Sequence, residues 1–200
     1  MPKRSNRSGF SSSITQKRET RRYLCHRRFK TILPKEEIYR KIQLAHKNKT
    51  GLNTCEIDCF LYNLPNYLGC FSQDALQNLA IRSLPVSLIV NLDTSSMAGS
   101  HWIALVIRKR TIEVFDPFGF NFQKWPPVTS RILIDFLHKF TLRRRVFISR
   151  DIQSVNSTLC GFYCIFFLYF RLTHSFRDCT NYFSVTNLDI NDDILVVSFK

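Results

Sequence analysis

The chain has 200 residues, 44% of them hydrophobic and 18 of them phenylalanine, which suits one domain with an aromatic-rich core. Seven cysteines, odd in number and irregularly spaced, read more simply as free thiols than as a disulfide framework, and the longest apolar run, Leu159 to Phe170, is about half of what a bilayer crossing needs. The net charge of +14 is uneven: residues 1–50 hold 15 Lys+Arg against 3 Asp+Glu, and the remaining 150 hold 14 against 12.

The opening "MPKRSNRSGFSSS" has no apolar signal-peptide core, so the expectation is a protein that is not secreted and keeps its thiols reduced. Residues 1–50 read as a basic, partly disordered segment. Such a segment can neutralise phosphates and hold DNA without sequence preference. It can equally be a nuclear-targeting signal or a solubilising arm.

"PKEEIYRKIQLAHK", 34–47, predicts a short helix with Pro34 in its first turn and acidic residues at its positive end. "NKTG" breaks the chain, placing a boundary near Gly51 and a folded domain over 51–200. "SQDALQNLAIRS" predicts a second helix capped by Ser72. "SLIVNL", 87–92, is a buried strand, followed by the loop "DTSSMAGS". "HWIALVIRK" and "TIEVF" flank a basic turn and predict a hairpin. "TSRILIDFLHKF", 129–140, is amphipathic at helical spacing, and "RRVFIS" is a further strand. The loop "RDIQSVNST" then leads to Cys160 and an apolar helix. Strands and helices mix without steady alternation, so the fold class is α+β.

Cys160 and Cys164 illustrate two fates of a thiol. Most cysteines are buried packing residues, and Cys164, inside the apolar run, fits that description. Cys160 ends a polar loop at the start of the helix, where unpaired N–H groups favour a thiolate. A thiolate becomes a useful nucleophile when it has a base, a group to orient that base, and oxyanion donors. His101 opens a strand directly after a Gly/Ser-containing loop. Asp116 ends the next strand, in "FDPFGF"; hairpin pairing would bring it beside His101, although by itself it reads equally as a turn-capping aspartate. Gln153 lies seven residues before Cys160 and offers a side-chain amide to an oxyanion.

The order His…Asp…Gln…Cys, with "HW", "FDPFGF", "Q-x6-CG", "YLGCFSQDAL" and "SLIVNLDTSSMAGSHWIAL", resembles the adenain-like cysteine proteases. That superfamily joins the adenovirus maturation protease to the SUMO and ubiquitin-like-protein proteases. The "NLD…GSHWIAL" form looks closest to those of large DNA viruses and Maverick/Polinton elements, and the likeness runs from about Tyr67 to Phe170. The resemblance implies a papain-like variant: a central mixed sheet packed by helices, with the nucleophile at the N-terminus of a buried helix. It implies His101 as base, Asp116 as orienter, Gln153 as oxyanion donor, Cys160 as nucleophile and Trp102 as a wall of the substrate channel. It implies protein substrates cut next to glycine, virion maturation, and a site in the host nucleus or virion. It also implies DNA or a peptide as activator.

Two departures stand out. The adenovirus enzyme carries glutamate where this chain has Asp116, and its activating peptide is disulfide-bonded to a cysteine shortly before the oxyanion glutamine. This chain has no cysteine between Cys70 and Cys160, so a covalent activator does not carry over. One alternative is a deconjugating protease of the nucleus or cytoplasm, which would share all four catalytic residues. A second is a zinc-stabilised nucleic-acid-binding module using Cys55-x3-Cys59 with Cys25 and His26.

Overall fold

The computed structural model describes residues 35–119, 125, 127–140, 144–147 and 150–200. A five-stranded sheet runs in chain order: β1 (Tyr67–Ser72), β2 (Val86–Asn91), β3 (Trp102–Ile107), β4 (Thr111–Phe115) and β5 (Arg144–Phe147). The two outer pairs, β1/β2 and β4/β5, are parallel, and the two inner pairs are antiparallel, so the sheet is mixed as expected. The predicted hairpin is β3/β4, with Ala104 opposite Phe115 and Ile107 opposite Ile112.

Both faces of the sheet are covered, which is why β2 and β3 are apolar without alternation. Ile89, Ala104, Val106 and Phe115 face one core. Ile103, Leu105, Ile107 and Val114 face the other. The first core is filled by α1 (Lys35–Asn48), α2 (Thr54–Leu61), α4 (Cys160–Phe170), α5 (Phe176–Asn181) and α6 (Asn191–Ser198). The second is closed by α3 (Pro127–His138) and a short 3-10 turn, Gln73–Asn78. Helix α4 is apolar on every side because it is enclosed on every side. Its Phe167 ring stacks on Phe115 of β4, with centroids 4.3 Å apart.

Several elements differ from the sequence expectation. The helix expected from Ser72 is only the 3-10 turn, and the Ser72 side chain makes no capping bond. Ser72 is the last residue of β1, paired with Asn91, and the short turn follows it directly. Strand β1 and helices α2, α5 and α6 are additional to the elements expected from the sequence. Two of these helices carry readable starts: capping boxes join Asn53 to Glu56 and Ser175 to Asp178. Helix α1 forms where expected, and its Ile38, Ile42 and Ala45 bury themselves in the same core as residues after Gly51. The segment 1–34, which carries ten Lys and Arg against one Glu, lies outside the described residues.

Candidate active site

Strand β3 begins at Trp102, so His101 is the last residue before the sheet, and its carbonyl accepts from the Leu92 N–H at 3.0 Å. Asp116 follows β4 directly. Antiparallel pairing puts the start of one strand beside the end of the other, and the two side chains meet: His101 Nε2 lies 2.7 Å from Asp116 Oδ1. The same carboxylate oxygen accepts from the Phe118 N–H at 2.9 Å. Asp116 is fully buried and the His101 side chain is 12% exposed, so the pair sits at the edge of the core. The Phe118 ring covers the imidazole with centroids 4.7 Å apart.

Burial opposes a charge on the His101 ring. Hydrogen bonding to Asp116 and to Cys160, with the negative charge of each, outweighs that effect and pushes its pKa from 6.5 up to about 9. The charged form of the ring is therefore favoured. Since Nε2 serves Asp116, the nitrogen left for Cys160 is Nδ1, which is buried and has no aligned partner in the free protein. Catalytic hydrogen bonds are commonly loose before substrate binds.

Cys160 is the first residue of α4, with Leu159 at the N-cap position, so the expected placement at a helix start holds. A first-turn N–H has no intrahelical acceptor and remains available to a ligand. The next residue has little room beside it: a Cβ on Gly161 would stand 3.3 Å from Leu52 Cβ, 3.3 Å from Trp102 Cδ1 and 3.4 Å from Ile57 Cδ1. Glycine there lets helix α4 lie close against Trp102. Cys164, one turn on, is fully buried and its thiol donates to the Trp102 carbonyl at 3.3 Å. Burial, then the nearby Cys160 charge, pushes its pKa well above the ordinary value, so it remains an inert thiol.

Gln153 is 1% exposed. Its Nε2 donates to the Ser157 carbonyl at 3.1 Å and lies 3.2 Å from Ser157 Oγ, while its Oε1 is buried without a hydrogen-bond partner. The loop is tied to the Asp116 turn, because the Pro117 carbonyl accepts from both the Ile152 and Gln153 N–H groups at 2.9 Å. Gly119 makes that approach feasible. Its φ of +72° suits glycine, and a Cβ there would come within 2.4 Å of Asp151 Oδ1 and 2.9 Å of the Arg150 carbonyl carbon. The sequence "DPFG" predicts a turn, and the structure shows that this turn holds the Gln153 loop.

Trp102 has a packing role in this structure. It is 7% exposed, and its indole N–H donates to the Leu52 carbonyl at 3.0 Å. Buried polar atoms without a partner include His101 Nδ1, Asp116 Oδ2 and Gln153 Oε1, one from each of three residues the sequence singled out. Of the zinc alternative's residues, Cys55 and Cys59 lie on α2, while Cys25 and His26 lie outside the described residues; Cys59 is disulfide-bonded, which departs from the expectation of reduced thiols and takes its sulfur from a zinc site. Among the described residues, no group of three or more His, Cys, Asp or Glu is placed to hold a metal ion.

A family model described as adenovirus endoprotease matches residues 67–183, from the first residue of β1 to beyond α5. The chain belongs to the adenovirus endoprotease family. Within that family, the protease of Bovine adenovirus B serotype 3 is 27% identical over 119 residues, covering 52% of this chain and 55% of that protein. The chain thus spans about half the length of that relative. Among solved structures, the SUMO protease Ulp1 with its catalytic cysteine oxidised to a sulfenic acid has 16% identity, covering 78% of this chain and 82% of that one, at a TM-score of 0.42. The central domain of the uncharacterised Lpg1148 protein from Legionella pneumophila has 13% identity, covering 66% and 84%, at a TM-score of 0.38. The matched span of the endoprotease family holds His101, Asp116, Gln153 and Cys160 together. No helix among the described residues is long and apolar enough to cross a membrane.

Proposed function

We propose that this chain is a cysteine endopeptidase in which Cys160 attacks a peptide carbonyl. The observation that carries the reading is His101, held by buried Asp116 at 2.7 Å and charged partly through its interaction with Cys160. The Cys160 thiolate adds to the scissile carbonyl, and the negative charge moves to the carbonyl oxygen. The Cys160 N–H, free of the helix ladder, and the Gln153 amide stabilise that oxyanion. Both acceptors of the Gln153 amide belong to Ser157, so they lie on one side of it. One N–H can be shared between them, leaving the second for the oxyanion. His101 Nδ1–H then protonates the leaving amine as the C–N bond breaks, giving a thioester on Cys160. The ring, now neutral, accepts a proton from the water that hydrolyses the thioester. Asp116 keeps Nε2–H engaged throughout, which holds Nδ1 on the sulfur's side.

The finer reading is cleavage next to glycine in capsid proteins of a virus or virus-like element, within the virion. Its support is the family likeness, since the indole of Trp102 is largely occupied by the core. The basic residues of 1–34 would contribute nonspecific DNA contact, and DNA or a noncovalent peptide could serve as activator. The test uses peptides with the two residues before the bond randomised, and folded ubiquitin-like proteins ending in Gly-Gly, each offered with and without DNA. Cys160-dependent cutting of short peptides after glycine is expected. Cutting only of the folded ubiquitin-like proteins would identify the deconjugating alternative, and no Cys160-dependent cutting would reject the protease reading.

A further inference from the structure

Ser157, the residue that receives the Gln153 amide, is itself held from the far end of the chain. Its hydroxyl donates to Asp192 Oδ1 at 2.8 Å and accepts from the Leu159 N–H at 3.2 Å. Asp192 is 5% exposed and stands in the first turn of α6. The same Oδ1 accepts from the Tyr163 hydroxyl at 3.0 Å, and Tyr163 lies three residues beyond Cys160 on α4. Next to it, Asn191 Nδ2 donates to the Ile152 carbonyl at 2.7 Å, immediately before Gln153, and to the Ser184 carbonyl at 2.7 Å. The first turn of α6 therefore grips the glutamine loop on both sides of Gln153, and Asp192 also grips the nucleophile's helix.

We propose that Asp192 is a positioning residue for the oxyanion loop, acting through Ser157 on Gln153; this deepens the protease reading and rests on it. A hydroxyl has one donor and two acceptor positions. Asp192 Oδ1 accepts from both the Ser157 and the Tyr163 hydroxyls, so the Ser157 O–H is committed to it. The lone pairs of Ser157 Oγ then face the Leu159 and Gln153 N–H groups. Gln153 can satisfy that side only with its nitrogen, which sets the amide's orientation and the direction of its remaining N–H. Asp192 lies after residue 183, where the family match stops, so the arrangement is read from this chain alone.

The test compares full-length wild type with Ser157→Ala, Asp192→Ala and Asp192→Asn. Readouts are kcat and KM on a cleaved peptide, thermal unfolding, and iodoacetamide alkylation at Cys160 followed by mass spectrometry. Alkylation needs the thiolate but forms no oxyanion, so it separates loop positioning from general damage. Ser157→Ala and Asp192→Ala should each lower kcat by about 10- to 100-fold, with KM and Cys160 alkylation within about 2-fold of wild type. Asp192→Asn keeps an acceptor oxygen for Ser157 and Tyr163 and should stay within about 3-fold in kcat. The double variant should be no worse than the poorer single one, because both break one chain of contacts. Unchanged kcat in Ser157→Ala overturns the proposal. So does alkylation that falls in step with turnover, or Asp192→Asn as impaired as Asp192→Ala. If Asp192→Ala does not fold, Ser157→Ala and Asp192→Asn decide alone. A wild type without Cys160-dependent cleavage rejects the protease reading itself, which is a separate result from an active wild type indifferent to these changes.

Discussion

Replacing Asp116 by asparagine should remove the charge that holds His101 as an imidazolium. The ring's pKa stands at about 9 against an ordinary 6.5, a difference corresponding to about 3 kcal/mol in favour of the charged form. Hydrogen bonding to Asp116 is the leading contribution that raises it, while burial lowers it. Without the carboxylate, burial acts against only the Cys160 contribution, and the pKa should fall, with the ordinary 6.5 setting the scale of the change. A ring returned to 6.5 would drop at pH 8 from about nine-tenths charged to about 3%, a loss of about 30-fold in the form that would protonate a leaving amine. Asparagine must also keep its oxygen toward Phe118 N–H and Nε2–H, leaving its new N–H2 at the position of Oδ2, which is buried without a partner. That orphaned donor should cost about 1–3 kcal/mol of stability. The sign of the pH effect on folding is also set. A folded pKa above the unfolded value gives stability that is fully present below pH 6.5 and lost as pH rises through about 9. The wild type should show this loss and Asp116→Asn should not. The assays are NMR titration of the His101 ring, the pH profile of kcat/KM, and urea unfolding at pH 6 and 9. An alkaline limb that stays near pH 9 in Asp116→Asn, or a ring pKa that does not fall, would refute the role given to Asp116.

Gln153→Ala should lower kcat by about 10²-fold with little change in KM, as an oxyanion donor does; a change confined to KM in steady-state kinetics would make it a substrate-binding residue. Cys160→Ala should abolish turnover and retain the folded circular dichroism spectrum, whereas Cys164→Ala, deep in the core, should keep most activity and lose only some thermal stability. Gly161→Ala brings a methyl to within 3.3 Å of Leu52 and Trp102, and calorimetry should show about 1–3 kcal/mol of destabilisation along with slower Cys160 alkylation. Residues 1–34 should supply salt-sensitive DNA affinity. Fluorescence anisotropy across a salt series should show a shallower slope when they are removed, and the cut before Lys35 spares the buried face of α1.

What the sequence determined by itself was local or chemical. The α+β class, the hairpin, the helix starting at Cys160 and the family likeness all follow from apolar spacing and from residue types within short windows. The hairpin register also carried His101 and Asp116 together, since antiparallel pairing of neighbouring strands is a local event even across fifteen positions. Short segments with weak periodicity were less legible. Strand β1 gained its conformation by pairing with β2, and six-residue α5 and eight-residue α6 are held by packing against α4 rather than by propensity. Only the tertiary structure decided that Trp102 packs beneath Gly161, that Pro117 and Gly119 hold the glutamine loop, and that Asn191 and Asp192 reach it from the far end of the chain. Each depends on atoms 30 or more residues apart arriving within hydrogen-bond or van der Waals distance, and that arrival is set by how helices fill the face of a closed sheet. No spacing in the one-dimensional chain records it.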